Sequence, residues 1–212
     1  MKKTFRLFFF LSLLICPSAL FAKELTPQWW SLEVQGGAWL PTNTVTKNSL
    51  GGCCSLTGTA DFSFLYQGRY GVEVGAGYVG AGGTATGRTS GAVSGDSFNL
   101  TLIPIQTSFA FRADFKEDQL LVPYLKAGLD DVFFHESVQG DVTKGFKLGL
   151  HTAGGLQILL DRLEDIPRSF EEMGVNDIYF VLEGRYGWIN GFGGSGIDLS
   201  GLTFSGGLLF EF

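Results

Sequence analysis

The sequence predicts an all-β fold: an eight-stranded antiparallel transmembrane β-barrel preceded by a cleavable signal peptide. Three observations predict it. The first 22 residues combine a basic start with a short apolar run. The remainder holds eight segments of about ten residues in which apolar and small or polar side chains alternate with the two-residue period of a strand. Gly accounts for 31 of 212 residues and Phe for 20. Glycine relieves crowding in a narrow lumen, and aromatics suit a wall that faces lipid and its interfaces.

The leader comes first. Lys2, Lys3 and Arg6 supply the basic start, residues 7–15 the apolar run, and Ala22 the expected last residue before cleavage. The run is too short to span a bilayer. Cys16 follows Ile15, which is not the small residue a lipid-attachment site requires. The expected division is therefore 1–22 signal peptide and 23–212 barrel. Beyond residue 22 no long charge-free apolar stretch occurs, which excludes transmembrane helices there. Removing the leader leaves 12 Lys and Arg against 21 Asp and Glu, a balance that excludes nucleic acid as a partner.

The first strand is expected over 29–40, with Leu32, Val34, Ala38 and Leu40 opposing Ser31, Glu33, Gln35 and Gly37. The second covers 57–66, where Phe62, Phe64 and Tyr66 oppose Asp61 and Ser63. Gln67-Gly68 reads as a tight turn into the third, 69–79. There Tyr70, Val72, Val74, Ala76 and Tyr78 oppose Arg69, Gly71, Glu73, Gly75 and Gly77. The fourth, 97–112, changes phase midway. Phe98, Leu100 and Leu102 have one parity, and Ile105, Thr107, Phe109 and Phe111 the other. Pro104 sits at the switch, which predicts a β-bulge.

The fifth strand, 120–130, sets Leu125, Ala127 and Leu129 against Lys126, Gly128 and Asp130. The sixth, 145–160, sets Phe146, Leu148 and Leu150 against Lys147, Gly149, His151, Ala153 and Gln157. The seventh, 177–189, sets Phe180, Leu182, Tyr186 and Trp188 against Glu183 and Arg185. The eighth, 201–212, sets Leu202, Phe204, Leu208, Phe210 and Phe212 against Thr203, Ser205, Gly207 and Glu211. An even strand count puts connections 41–56, 80–96, 131–144 and 190–200 on the outer side. The sixth connection, 161–176, is long and charged. Its Leu163, Ile166, Phe170 and Met173 predict a short amphipathic helix at the membrane surface.

A soluble barrel inverts the assignment, with the apolar face as core. Three features favour the membrane. The apolar faces are large and aromatic, the opposite faces hold too few Lys and Glu for a wetted exterior, and the last strand runs to Phe212. Trp29, Trp30, Tyr66, Tyr78, Tyr186 and Trp188 fit interfacial girdles.

The polar faces then line the lumen. Glu33, Asp61, Arg69, Glu73, Lys126, Lys147, Glu183 and Arg185, with His151 and Gln157, are the candidate site residues. Charges in so narrow a space must pair or accept hydrogen bonds. Four acids and four bases predict a mutually neutralising network; a narrow ion path is the alternative. His135 and Ser137 share a parity at the outer rim, a spacing that His-activated serine chemistry uses. The run is three residues long and reads as loop, so no catalytic set is assigned. The run Gly80 to Gly87 opens no helix and reads as a surface loop. Cys53 and Cys54 adjoin without further Cys or His ligands nearby, which points away from metal. A local disulfide and a link to a partner both stay open. No cofactor is expected.

The final residues complete the picture. Ser205, Gly207, Phe210 and Phe212 resemble the C-terminal assembly signal of bacterial outer-membrane barrels. The chain as a whole resembles the small barrels of the OmpA, OmpX and OmpW kind, with Pro123 to Leu129 and Glu183 to Tyr186 resembling their strands. The resemblance implies the bacterial outer membrane, insertion by the barrel assembly machinery, and contact with outer-membrane lipids and lipopolysaccharide. No peptidoglycan-binding domain is expected after Phe212. Because no catalytic set stands out, the expected role is structural or surface-interacting and non-enzymatic. Two alternatives remain: a narrow channel for small or hydrophobic molecules, and lipid A modification at the outer rim.

Overall fold

A computed structural model describes residues 29–50, 54–86, 93–116, 119–160, 174–193 and 197–212. The expected signal peptide, Cys53 and the apolar set at 163, 166, 170 and 173 lie outside the described residues. Eight strands follow in order: β1 (Trp30–Pro41), β2 (Ser55–Tyr66), β3 (Tyr70–Thr86), β4 (Val93–Arg112), β5 (Leu121–Val138), β6 (Asp141–Leu159), β7 (Asp177–Trp188) and β8 (Gly201–Glu211). One helix, α1 (Thr44–Ser49), lies between β1 and β2. Each strand pairs antiparallel with the next, and β8 pairs back onto β1, so the sheet closes and leaves no edge.

The expected alternation sets the facing. Outward side chains are apolar and exposed: Phe64 and Leu125 at 64 % and Phe146 at 65 % form, with Val34, Val74, Ile105 and Leu182, a continuous belt. Exposure of that order on an all-round apolar surface requires lipid rather than water. Tyr66 and Tyr70 ring one end of the belt, and Tyr78, Tyr186 and Trp188 the other. Trp30 stacks on Phe212 with ring centroids 3.8 Å apart, which ties β1 to the end of β8. Gln67 and Gly68 both have positive φ, 55° and 65°, within the three-residue turn 67–69 that joins the paired Tyr66 and Tyr70.

The fourth strand carries no bulge at Pro104. Its register with β5 runs unbroken from Phe98↔Val138 to Arg112↔Tyr124. Even positions face inward throughout, so Phe98, Leu100 and Leu102 are interior residues at 4 %, 1 % and 4 % exposure. The lumen itself changes character: apolar at the outer end, polar in the middle. A register shift lies instead near the outer tip, between Thr84 and Thr86 of β3.

Two expected loops are also strand. Gly80 to Thr86 continues β3, and residues 131–138 continue β5. Strands β3 to β6 span 17 to 20 residues, against 11 or 12 in β1, β2, β7 and β8. The wall therefore rises higher on one side of the outer mouth. Helix α1 folds over the mouth, capped by Asn43, whose side chain accepts from Val45 N and Thr46 N. It brings Leu50 against Trp39, Val79, Phe98, Leu100 and Leu199, an apolar plug at the outer end. A second cluster of Val122, Tyr124, Leu159, Tyr179, Val181 and Leu209 lines the β5 to β8 side toward the periplasmic end.

The inward assignment of β4 yields a direct test. Leu100→Ala is expected to lower unfolding free energy by about 2–5 kcal/mol, the usual cost of emptying a packed interior site. Urea titration of the refolded barrel in lipid vesicles, read by tryptophan fluorescence, measures it. Stability unchanged from the wild type would return Leu100 to the lipid face.

Candidate functional site

Between the two apolar clusters the lumen is crossed by side chains from all eight strands. Lys126 of β5 stands at the centre. Its Nζ lies 3.0 Å from Glu33 Oε1 of β1, 2.9 Å from Glu73 Oε2 of β3 and 3.4 Å from Glu183 Oε2 of β7. One cation thus ties three strands to a fourth. Arg185 of β7 pairs with Asp130 of β5 and donates to Gln106 of β4. Gln106 in turn donates to Asp61 of β2.

The four-against-four balance expected from sequence does not hold. Arg69 lies in the β2–β3 turn, where its Nε donates to the Asp114 carbonyl at 2.8 Å and its guanidinium sits over Phe115. It falls outside the lumen because β3 begins one residue later, at Tyr70. Lys147 does face inward but higher, beneath Gly191, whose position lies 3.5 Å from Lys147 Nζ when extended by a Cβ. The middle layer therefore holds five carboxylates, Glu33, Asp61, Glu73, Asp130 and Glu183, facing Lys126 and Arg185.

Each carboxylate also accepts from an uncharged or titratable neighbour, which offsets part of its desolvation. Gln35 donates to Glu33, Gln106 to Asp61, Ser63 to Glu73 at 3.1 Å and Tyr124 to Glu183 at 2.9 Å. His151 Nδ1 lies 3.1 Å from Asp130 Oδ1. On its other side His151 Nε2 lies 2.9 Å from Ser108 Oγ. Nearer the periplasmic end Arg112 pairs with Glu211, donates to Gln157 Oε1 at 2.7 Å and lies over Tyr179.

Inward glycines make these meetings possible. Gly75 stands between Asp61 and Gln106 in the register, and a Cβ there would collide with the Asp61 carboxylate. Gly128 stands between Ser108 and His151, with its Cβ position 2.9 Å from His151 Cε1. Gly155 stands between Tyr124 and Glu183, with its Cβ position 2.6 Å from the Tyr124 hydroxyl. In each case a strand without a side chain lets its two neighbours join across it.

Sequence parity found Glu33, Asp61, Glu73, Lys126, His151, Gln157, Glu183 and Arg185 as lumen residues, and the structure brings all but Gln157 into this layer. It missed Asp130, Gln35, Gln106 and Ser108 as members, and Arg112 with Glu211 below. Asp130 and Glu211 have the inward parity, so the signal was present. Gln106 and Ser108 also have the inward parity, opposite Ile105, Thr107 and Phe109, but as uncharged residues they do not stand out among the lumen charges. His135 and Ser137 lie on the outward parity of the β5 extension, away from this layer. Ser205 and Gly207 of the C-terminal motif face inward. Ser205 Oγ donates to Gln35, and Gly207 leaves room for Gln35. Cys54 is exposed beside β2.

A closed antiparallel barrel with an apolar belt and a polar, side-chain-filled lumen defines a membrane-spanning barrel of the outer-membrane type. Solved structures agree. The chain is similar to neisserial surface protein A, with 14% identity over 86% of this chain and 97% of that one, and a TM-score of 0.54. It is similar as well to the outer-membrane protein OprG of Pseudomonas aeruginosa, with 12% identity over 86% of this chain and 95% of that one, and a TM-score of 0.57. No family model and no curated protein sequence matches. At this identity the likeness speaks for the fold, and the small eight-stranded outer-membrane barrel is the fold.

Two substitutions probe the layer. Lys126→Met would strand three carboxylates and is expected to cost about 3–5 kcal/mol, as removal of one buried ionic partner does. Gly75→Leu would overpack Asp61 and Gln106 and is expected to cost about 1–3 kcal/mol. Unfolding midpoints in urea and the folded-to-unfolded mobility shift on gels report both. Wild-type stability in Lys126→Met would mean that the lumen is wet and the ion pairs are screened.

Proposed function

We propose that this protein is a non-conducting outer-membrane barrel that serves the envelope through its wall and outer mouth. The supporting observation is the filled lumen. Lys126 and its three carboxylates cross the middle, with one apolar cluster toward the outside and another toward the periplasm. An ion crossing this path would have to displace buried ion pairs and then apolar packing, both costly. Lipids and lipopolysaccharide are the partners of the exposed belt. The raised wall of β3 to β6 is the part offered to a surface partner. The reading requires no catalysis.

A second reading has an observation of its own. An apolar cavity of about 60 Å³ lies at the outer end, lined by Trp39, Val79, Leu102, Val132, Ile189 and Leu199. Its size suits capture of a small apolar molecule. The polar layer beneath separates capture there from passage through the axis.

Electrical recording separates the sealed barrel from a channel. The folded wild type in a planar bilayer at molar salt is expected to show no lasting conductance steps. Stable unitary openings from the folded form would refute the sealed lumen.

A further inference from the structure

We propose that Ser108, His151 and Asp130 form a nucleophilic triad in the lumen that cleaves small esters carrying a short apolar acyl group. The inference goes beyond the envelope reading and does not depend on it.

Geometry comes first. Ser108 Oγ lies 2.9 Å from His151 Nε2, and His151 Nδ1 lies 3.1 Å from Asp130 Oδ1. An ionised carboxylate only accepts, so the Nδ1 contact requires the ring proton to be there. In the neutral ring Nε2 then carries its lone pair toward the Ser108 hydroxyl, the tautomer a general base needs. The three residues come from β4, β6 and β5, and their separation in sequence hides the set. Gly128 is what lets the His151 ring reach Ser108 across the intervening strand. The serine, histidine and aspartate are 3 %, 4 % and 0 % exposed, so bulk water does not compete for these bonds.

A hydrogen-bonded chain that only filled space would need no room beside the serine. Here Ser108 and His151 line a cavity of about 20 Å³, with Lys126, Arg185 and Gln106 on its walls. By the usual measure that space admits about one water-sized group. Thr57, Thr59, Arg185 and Thr203 line both this cavity and the apolar one of about 60 Å³ at the outer end. The arrangement fits a polar reacting centre below and a short apolar chain in the cavity above. The Arg185 guanidinium, held by Asp130 and Gln106, lines the same cavity as Ser108 and is the cation available to a carbonyl oxygen that gains negative charge there.

The steps balance. Ser108 Oγ attacks the ester carbonyl carbon as its proton passes to His151 Nε2. The carbonyl oxygen becomes an oxyanion facing Arg185. Collapse breaks the bond to the alkoxy oxygen, which leaves as the alcohol with the proton from His151. Water then attacks the acyl-Ser108, gives its proton to His151, and the acid departs as that proton returns to Ser108.

The test uses the full barrel, refolded in detergent micelles and shown to be folded by its gel mobility. It is treated with a fluorophosphonate probe, and its hydrolysis of p-nitrophenyl acetate and butyrate is followed. A phosphonyl adduct on Ser108, mapped by peptide mass spectrometry, is expected. Turnover is expected to fall by roughly 10³-fold, or to the buffer rate, in Ser108→Ala and in His151→Gln. If either variant fails to fold, the adduct on the wild type decides. A folded wild type without an adduct on Ser108, or activity that follows Ser137 rather than Ser108, would overturn the proposal. Ionic sealing is measured separately by conductance, so the two readings fail independently.

Discussion

Space inside an eight-stranded barrel is the constraint from which the rest follows. The lumen is just wide enough for side chains, and no strand can present a large one at every inward position. This chain answers by leaving inward positions empty on chosen strands. Gly75, Gly128 and Gly155 each remove a Cβ from the line between two neighbours. Across those gaps Asp61 meets Gln106, Ser108 meets His151, and Tyr124 meets Glu183. The hydrogen-bond network is therefore written as much by its glycines as by its charges.

That network has a chemical consequence. Taking five carboxylates out of water is unfavourable unless each finds donors. Lys126 satisfies three at once, and amide, hydroxyl and ring donors supply the rest. The price is cooperativity: each partner holds more than one strand, so the layer stands or falls together. Above it, the apolar cluster under α1 closes the outer end with ordinary packing. The barrel is thus sealed by two different kinds of interaction in series, ionic in the middle and hydrophobic at the outer mouth.

Much of this was legible in the sequence because strand periodicity and barrel closure impose few choices. Alternating runs such as Tyr70 to Tyr78 located β3, and the parity of Glu33, Lys126 and Glu183 put them inside. The errors have a single source. Sequence parity equates apolar with outward, and that fails wherever the interior itself turns apolar. Phe98, Leu100 and Leu102 read as lipid-facing, and a bulge at Pro104 is then needed to restore the phase. The strand extensions beyond the belt were missed for a related reason. Gly80 to Thr86 and His135 to Ser137 lack a lipid-facing pattern because they stand above the lipid. Helix α1 is six residues long, too short to show a helical period. Which inward residues touch depends on the register between strands, which a single strand's pattern does not contain.

The claim that side chains join across inward glycines is tested most directly at His151. Nitrogen and proton spectra of the imidazole, recorded on the barrel in lipid nanodiscs, report the tautomer and the ring's neighbours together. The account predicts a ring proton on Nδ1, and contacts from Cε1–H to Gly128 Hα and Ser108 Hβ. A ring in exchange with bulk water, without contact to either residue, would contradict it.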